Sequence, residues 1–243
     1  MAQHNESKIH GSNNMGRFQD YIGEFVYGGI DGSVTTFAVV AGATGGGLDS
    51  SVVIILGFAN LIADGFAMSV GSYLSTKSEK QKYQKHKAIE YWEIEHLRER
   101  EVDEVRDIYK RYGFTGQLLE DIVAHITADK DRWVEVMMKE ELEMQEETKT
   151  PFGMGAATFV AFVSTGLIPL LIYLYDYLLA STNNLFTISS TMTGLVFLSI
   201  GYLKSSVTGS SKWRGMMETL LLGGAAAVLS YFVGDWLEGL IAA

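Results

Sequence analysis

The sequence contains no cysteine. Disulfide bonds, thiolate zinc sites and cysteine-ligated iron–sulfur clusters are therefore excluded. Basic residues are scarce as well, because 19 Lys and Arg stand against 29 Asp and Glu and give a net charge of −10. Phosphate groups repel such an acidic chain, so we expect no nucleic-acid partner. Carboxylates concentrated in one place favour divalent cations instead, and we expect no prosthetic group.

The N-terminal residues lack the basic and then apolar pattern of a cleaved signal peptide. We expect a polar tail over residues 1–19 and a first apolar segment that is retained in the membrane. Hydrophobic residues make up 47% of the chain and charged residues 20%. Charge is nearly absent from long stretches and dense in one central block, which is typical of membrane spans with a soluble insert.

Five mostly apolar segments are each long enough to cross a bilayer as a helix. They cover residues 25–47, 51–75, 152–180, 185–203 and 216–241. The predicted fold is therefore all-α, a polytopic membrane protein with five transmembrane helices and a cytosolic helical insert between helices 2 and 3. The predicted domains are the tail (1–19), transmembrane helices 1–2 (20–75), an acidic metal-binding insert (76–150) and transmembrane helices 3–5 (151–243).

The charge of the loops predicts the orientation in the membrane. The connections after the first and third spans carry no Lys or Arg, whereas the other connections do. The basic residues near the spans are Lys8, Arg17, Lys77, Lys80, Lys82, Lys85, Lys204, Lys212 and Arg214. The positive-inside rule places the N-terminus and the insert in the cytosol, and five spans leave the C-terminus on the far side. Few basic loops and a short chain favour the plasma membrane of a bacterium.

The insert, residues 76–150, holds roughly two thirds of the acidic residues and is predicted to be helical throughout. Span two is expected to continue beyond the membrane as a helix over residues 78–96. Further helices are predicted over residues 98–112, 115–126 and 129–147. Gly113 is placed to end the first of these, and Thr127 is placed to cap the start of the last.

Carboxylates and thioethers recur on these helices at spacings that place them on shared faces. The candidate metal ligands are Glu90, Glu93, Glu101, Glu104, Met137, Met138 and Glu141. Such a mixed oxygen and sulfur set suits Fe²⁺ and Mn²⁺ and would tolerate Zn²⁺ or Co²⁺. Two structural alternatives stay open, because Glu is common on solvated helix faces and Met more often fills a core than binds a metal.

Glu93 and His96 form an E-x-x-H motif of the kind that di-iron carboxylate bundles use in pairs. The sequence has only one such motif. The motif makes a membrane-anchored iron-binding or ferroxidase-like storage protein the alternative function, and the lack of a second motif argues against it. His96 is expected to be a surface histidine.

Polar side chains also interrupt the first two apolar spans. A carboxylate at membrane depth is costly, so we expect it to face an interior path or a partner. The predicted transport path consists of Asp20, Glu24, Asp31, Asn60, Asp64 and Met68. The last three are spaced by four and share a helix face, while the first two would line the cytosolic mouth. Interhelical hydrogen bonding in a packed bundle is the alternative, and it accounts well for Asn60.

Four stretches carry a resemblance to a known family: GGIDGSVTTFAVVAGATG, ANLIADGFAMSVGSYLSTKSE, WVEVMMKEEL and STGLIPLLIYL. In this combination, and with an insert between spans two and three, the chain resembles the vacuolar iron transporter family. The resemblance extends from about residue 20 to the end of span five. It implies a homodimer of five-span protomers that exchanges Fe²⁺ or Mn²⁺ against protons and moves metal out of the cytosol.

The resemblance also implies roles for individual residues. Asp31 and Met68 match residues of the family's membrane path, and the insert's five candidate glutamates match its metal ligands, with the two methionines beside them. Asn60 stands where some members carry a glutamate, and Asp64, one turn on, is placed to supply the missing charge. The sequence therefore predicts a transporter rather than an enzyme, and it leaves open whether Fe²⁺ or Mn²⁺ is the physiological ion.

Overall fold

The computed structural model describes residues 13–179 and 184–241, and the side chains of residues 21–179 and 184–241. These residues form nine α-helices and no strand, which confirms the all-α prediction. The helices are α1 (Asn13–Gly45), α2 (Ser50–His96), α3 (Arg98–Arg111), α4 (Gly116–Thr127), α5 (Lys130–Val136), α6 (Pro151–Gly166), α7 (Ile168–Leu179), α8 (Leu185–Thr208) and α9 (Lys212–Ile241). Residues 1–12 of the predicted tail lie outside the described residues.

The described residues fall into two compact units. Residues 13–73, 151–179 and 184–241 form the first, which we call the membrane unit. Residues 74–150 form the second, which we call the insert unit. Helix α2 contributes residues to both.

The helices of the membrane unit have the length and composition of membrane spans. Four qualify singly: α1 from Tyr21, the apolar part of α2, α8 and α9. Helices α6 and α7 qualify together, as one span that is bent by 49°. Counting that pair as one gives five spans, and the chain is an integral membrane protein.

The span predicted over residues 152–180 is bent between α6 and α7. The cause of the bend is Pro169, which has no N–H to continue the hydrogen-bond ladder of α6 and whose ring would clash with the Thr165 carbonyl in a continuous helix. The helix breaks at Leu167, two residues before the proline. The Ser189 hydroxyl donates a hydrogen bond to the Pro169 carbonyl oxygen (2.8 Å), which ties α8 to the bend.

Helix α1 lies at the centre of the membrane unit, where it contacts α6, α7, α8 and α9. The contact with α6 is a contact of backbones. A Cβ atom on Gly28 would lie 2.7 Å from the Thr158 carbonyl oxygen, and one on Gly32 would lie 2.3 Å from the Phe162 carbonyl oxygen. Only glycine fits at such distances, so these residues fix how closely the two helices approach.

The insert unit has a hydrophobic core of its own. Its largest buried side chain is Trp133, which packs in one cluster with Tyr83, Ile94, Val105 and Ile108. The cluster draws on α2, α3, α4 and α5, so the four helical segments share one core.

Two predictions for the insert's last helix are wrong. Helix α5 is capped by Asp129, whose carboxylate accepts a hydrogen bond from the Arg132 backbone N–H (2.8 Å), while Thr127 is the last residue of α4. The α-helix ends at Val136 and continues only as a π-helical turn, Met137–Glu141. Glu143 then adopts a left-handed conformation (φ 51°), which ends the helix well short of residue 147.

Candidate functional site

Two glutamates of the insert unit occupy positions that belong to its core. Helix α3 buries Glu101, Val105 and Ile108, which are spaced by four and three and so form one stripe. Glu90 is buried four residues before Ile94 on α2. Glu101 is 1% exposed and Glu90 is 3% exposed. Carboxylates are almost never buried this deeply unless they are paired or bind a metal.

The described residues leave one oxygen of each of these two carboxylates without a hydrogen-bond partner. One oxygen from each of Glu90, Glu93 and Glu101 lies within 4.8 Å of the others. The Oε2 atoms of Glu90 and Glu101 are buried and have no hydrogen-bond partner among the described residues. Arg100, next to Glu101 in sequence, forms its ion pair with Glu104 (2.9 Å). An oxygen-lined position with surplus negative charge results, and this arrangement suits a divalent cation.

All five glutamates that the sequence singled out in the insert influence one another electrostatically. We call Glu90, Glu93, Glu101, Glu104 and Glu141 the glutamate cluster. Burial, together with repulsion from the four other members, raises the pKa of Glu90 to about 7. Burial and repulsion from Glu104, Glu93 and Glu141 raise the pKa of Glu101 to about 7 as well, against a smaller opposing effect of Arg100. Partial desolvation, followed by repulsion from Glu104 and Glu93, raises the pKa of Glu141.

Met137 and Met138 lie on the π-helical turn, one turn before Glu141 in sequence. Both are buried (0% and 1% exposed) and belong to the hydrophobic core of the insert unit. The packing role that their residue type favours is therefore present. A π-helical turn is rare and occurs often at functional sites, and binding of a metal by the two thioethers stays a prediction.

His96 belongs to the E-x-x-H motif in the sequence, but its side chain does not join the group of carboxylates that could share an ion. It is exposed, and its ring stacks on Trp92 with the centroids 4.5 Å apart. Among the described residues, the group of side chains close enough to share an ion contains Glu93 but no histidine. The geometry of a di-iron site is thus missing from the part of the insert that the structure describes.

In the membrane unit, the predicted path residues lie on α1 and α2. Asp31 and Asp64 are half-buried, and their carboxylates interact electrostatically. Met68 is partly buried and packs against the core of the unit. Asn60 is half-buried, and its Nδ2 atom has no hydrogen-bond partner among the described residues. The side chain of Asp20 lies outside the described residues.

Glu24 is held by hydroxyl groups that the sequence reasoning did not single out. Its Oε2 atom accepts hydrogen bonds from Thr158 Oγ1 (3.0 Å) on α6 and from Ser72 Oγ (3.2 Å) on α2. A signal for Thr158 was present, since it repeats at a spacing of seven with Thr165 on a helix with few polar residues. Local patterns gave no indication of which distant carboxylate it meets.

Comparisons with known proteins show the family of this chain. The model of the VIT family matches residues 22–235. A vacuolar iron transporter from Toxoplasma gondii is 32% identical, over 96% of this chain and 80% of the relative. A vacuolar iron transporter from Plasmodium falciparum is 30% identical, over 95% and 86%, and vacuolar iron transporter 1 from Arabidopsis thaliana is 29% identical, over 87% and 84%. The chain therefore belongs to the VIT family, the family of the vacuolar iron transporters.

Proposed function

We propose that this protein is a divalent-metal transporter that exports Fe²⁺ or Mn²⁺ from the cytosol in exchange for protons. The glutamate cluster is the observation that carries the proposal. Two of its carboxylates are buried in a hydrophobic core without a donor among the described residues, and a cation would supply the missing charge. Relatives over most of the chain are named iron transporters, which supports metal as the cargo.

In this proposal the insert unit captures metal from the cytosol. Carboxylate oxygens of the glutamate cluster bind the ion, and Met137 and Met138 contribute sulfur, which favours Fe²⁺ and Mn²⁺ over harder ions. Zn²⁺ or Co²⁺ would bind the same ligands. Each ligand carboxylate must be ionised to bind metal, so capture releases protons and depends on pH.

The membrane unit then provides the path. Glu24, and Asp20 before it in sequence, would receive the ion at the cytosolic mouth. The ion would pass Asp31, Met68, Asp64 and the Asn60 amide oxygen, shedding its water in steps. Asp31 and Asp64 repel each other when both are ionised, so a departing cation favours proton uptake by one of them. This exchange couples export of metal to import of protons.

The assembly and location belong to the same proposal. Two protomers form a homodimer in the lipid bilayer, in the plasma membrane of a bacterium. The N-terminus and the insert face the cytosol and the C-terminus faces the opposite side, as the distribution of Lys and Arg favours.

Transport into proteoliposomes tests the proposal. Purified full-length protein is reconstituted, a pH gradient is imposed, and accumulation of Mn²⁺ or Fe²⁺ is followed with and without a protonophore. We expect accumulation that depends on the gradient, and at least about a tenfold slower rate for Asp31→Ala, since the path then lacks its charge at depth. Asp235→Ala, which removes an exposed carboxylate from α9 of the same unit, is the matched control.

The results separate the parts of the proposal. Metal flux that is independent of the pH gradient would exclude proton exchange but would still support metal transport. An Asp31→Ala rate equal to the parent rate would exclude the assigned path. Competition between Fe²⁺ and Mn²⁺ at equal concentrations then identifies the preferred cargo.

A further inference from the structure

The Glu24 carboxylate lies where three helices of the membrane unit meet. Glu24 belongs to α1, and its two hydroxyl partners belong to α2 (Ser72) and α6 (Thr158). Thr158 is 1% exposed, so its hydroxyl is sheltered from solvent within the unit. The same hydroxyl also donates to the Met154 carbonyl oxygen of its own helix (2.9 Å), so that its single proton is shared between this carbonyl and Glu24.

The two hydroxyls act on one oxygen of the carboxylate. Both hydrogen bonds end on Oε2, and among the described residues Oε1 accepts none. A carboxylate held through one oxygen keeps the lone pairs of the other for a ligand. Hydrogen bonds from neighbouring groups commonly orient metal-binding side chains in this way and raise their affinity.

The frame around Glu24 is set by backbone contacts rather than by flexible side chains. One turn after Glu24, a Cβ atom on Gly28 would lie 2.7 Å from the carbonyl oxygen of Thr158 itself. One turn before Thr158 on α6, a Cβ atom on Gly155 would lie 2.8 Å from the Ser69 carbonyl oxygen of α2. Since α6 touches α1 and α2 with its backbone at this level, the Thr158 hydroxyl has little freedom to move relative to either helix.

We propose that Thr158, assisted by Ser72, is a positioning residue that fixes Glu24 so that Oε1 is presented to the cation entering the membrane unit. This inference rests on the proposed transport function and names residues that set the affinity of its entry step. A free glutamate side chain must be ordered when it binds an ion, whereas one that is already held binds without that cost. Loss of the Thr158 hydroxyl therefore weakens metal entry more than it slows later steps.

Thr165 offers a control for a purely structural role. Its hydroxyl also joins α6 to α1, but it donates to the Gly29 backbone carbonyl (2.8 Å) and not to a carboxylate. It lies in the same interface, two turns further along α6, and is buried like Thr158. If Thr158 only held the helices together, Thr158→Val and Thr165→Val would affect transport alike.

The test is the initial rate of Mn²⁺ uptake into proteoliposomes containing the full-length protein, measured over a range of Mn²⁺ concentrations. We expect Thr158→Val to raise KM about tenfold with the maximal rate within about twofold of the parent, because valine keeps the shape and loses the donor. Thr158→Ser should restore the parent KM, and Thr165→Val should leave KM within about twofold. In a Glu24→Ala background, Thr158→Val should have no further effect on KM, because the group that it positions is gone.

Each outcome supports or overturns the inference. An unchanged KM in Thr158→Val, an equal rise in Thr165→Val, or no rescue by Thr158→Ser overturns it while transport stands. A parent protein that carries no Mn²⁺ overturns the proposed function and the inference with it. Should Thr158→Val fail to fold, Ser72→Ala replaces it: a KM rise of about threefold, absent in the Glu24→Ala background, supports the inference, and no rise overturns it.

Discussion

The membrane unit and the insert unit bury different kinds of polar group, hydroxyls in the first and two carboxylates in the second. In the membrane unit, buried hydroxyls such as those of Thr165 and Ser189 donate to backbone carbonyls of neighbouring helices. In the insert unit, Glu90 and Glu101 bury carboxylate oxygens that no described residue satisfies. A neutral hydroxyl that finds a carbonyl adds to packing, whereas a buried carboxylate without a donor opposes it. Close helix packing therefore stabilises the membrane unit, whereas the insert unit contains buried carboxylates whose negative charge a cation would neutralise.

The largest effect is expected where the membrane unit depends most on close contact. Gly32→Ala places a Cβ atom 2.3 Å from the Phe162 carbonyl oxygen, and a backbone atom cannot move aside as a side-chain tip can. We expect the free energy of unfolding to fall by roughly 3 kcal/mol, the upper range for overpacking. Thermal unfolding of the full-length protein in detergent measures the change.

The matched control for Gly32 is Gly71, which lies within α2 and has open space around its Cβ position. Gly71→Ala should leave stability unchanged or raise it by up to about 1 kcal/mol, because alanine favours a helix more than glycine does. Equal losses at the two positions would contradict the close α1–α6 contact as the source of stability.

The second largest effect is expected from the negative charge of the glutamate cluster in the insert unit. Glu101→Gln removes one negative charge and one anionic ligand from the glutamate cluster while keeping the side-chain shape. We expect the affinity of the full-length protein for Mn²⁺ to fall about 100-fold, equivalent to about 2.7 kcal/mol. Isothermal titration calorimetry in detergent measures it. Glu120→Gln is the control, since Glu120 is exposed and paired with Arg106 (3.0 Å) outside the cluster, and its affinity should match the parent.

The sequence predicted the membrane spans and the helix faces of both units better than the bends and ends of their helices. Spans were found because about 20 apolar residues in a row are needed to cross a bilayer, whatever their tertiary contacts. Helical spacing placed Glu90 and Glu93 on one face and Glu101 and Glu104 on another, and packing of α2 against α3 brought the two pairs together. Such periodic patterns depend only on the spacing along one helix, so tertiary contacts do not change them.

The errors came from places where a single residue or a distant contact overrides periodicity. Pro169 was visible in the sequence, yet the apolar run continues past it, and the bend within this span was not predicted. The left-handed conformation of Glu143 has no signature in its residue type, so the last helix was extended too far. The partners of Glu24 lie on α2 and α6, at a separation that no local pattern encodes.

A change of pH should alter the stability of the insert unit without any mutation. In metal-free protein, folded Glu90 and Glu101 keep protons up to about pH 7, whereas in the unfolded chain they lose them near the usual value of 4.5. Between these values the folded state binds more protons, so the free energy of unfolding falls as pH rises. We expect the insert unit to lose on the order of 2 kcal/mol between about pH 5 and about pH 8. Hydrogen exchange of insert peptides in the presence of a chelator measures this loss.

The control for the pH effect is the variant with both Glu90→Gln and Glu101→Gln, whose insert peptides should show a much flatter dependence. Saturating Mn²⁺ should also abolish the loss at high pH, because the metal binds the ionised carboxylates. A pH dependence of equal size in the double variant would show that groups outside the cluster cause it.

The smallest effect tests local structure within the insert unit, at the start of α5. Asp129→Ala removes the carboxylate that accepts from the Arg132 N–H, and loss of an N-cap costs about 1 kcal/mol. Thr127→Ala should cost less, since the Thr127 hydroxyl only donates to the Val123 carbonyl one turn back in α4. Asp129→Asn should retain most of the stability, because its amide oxygen caps as well. Hydrogen exchange of peptides from α5 compares the three variants, and a larger loss in Thr127→Ala than in Asp129→Ala would reinstate Thr127 as the cap.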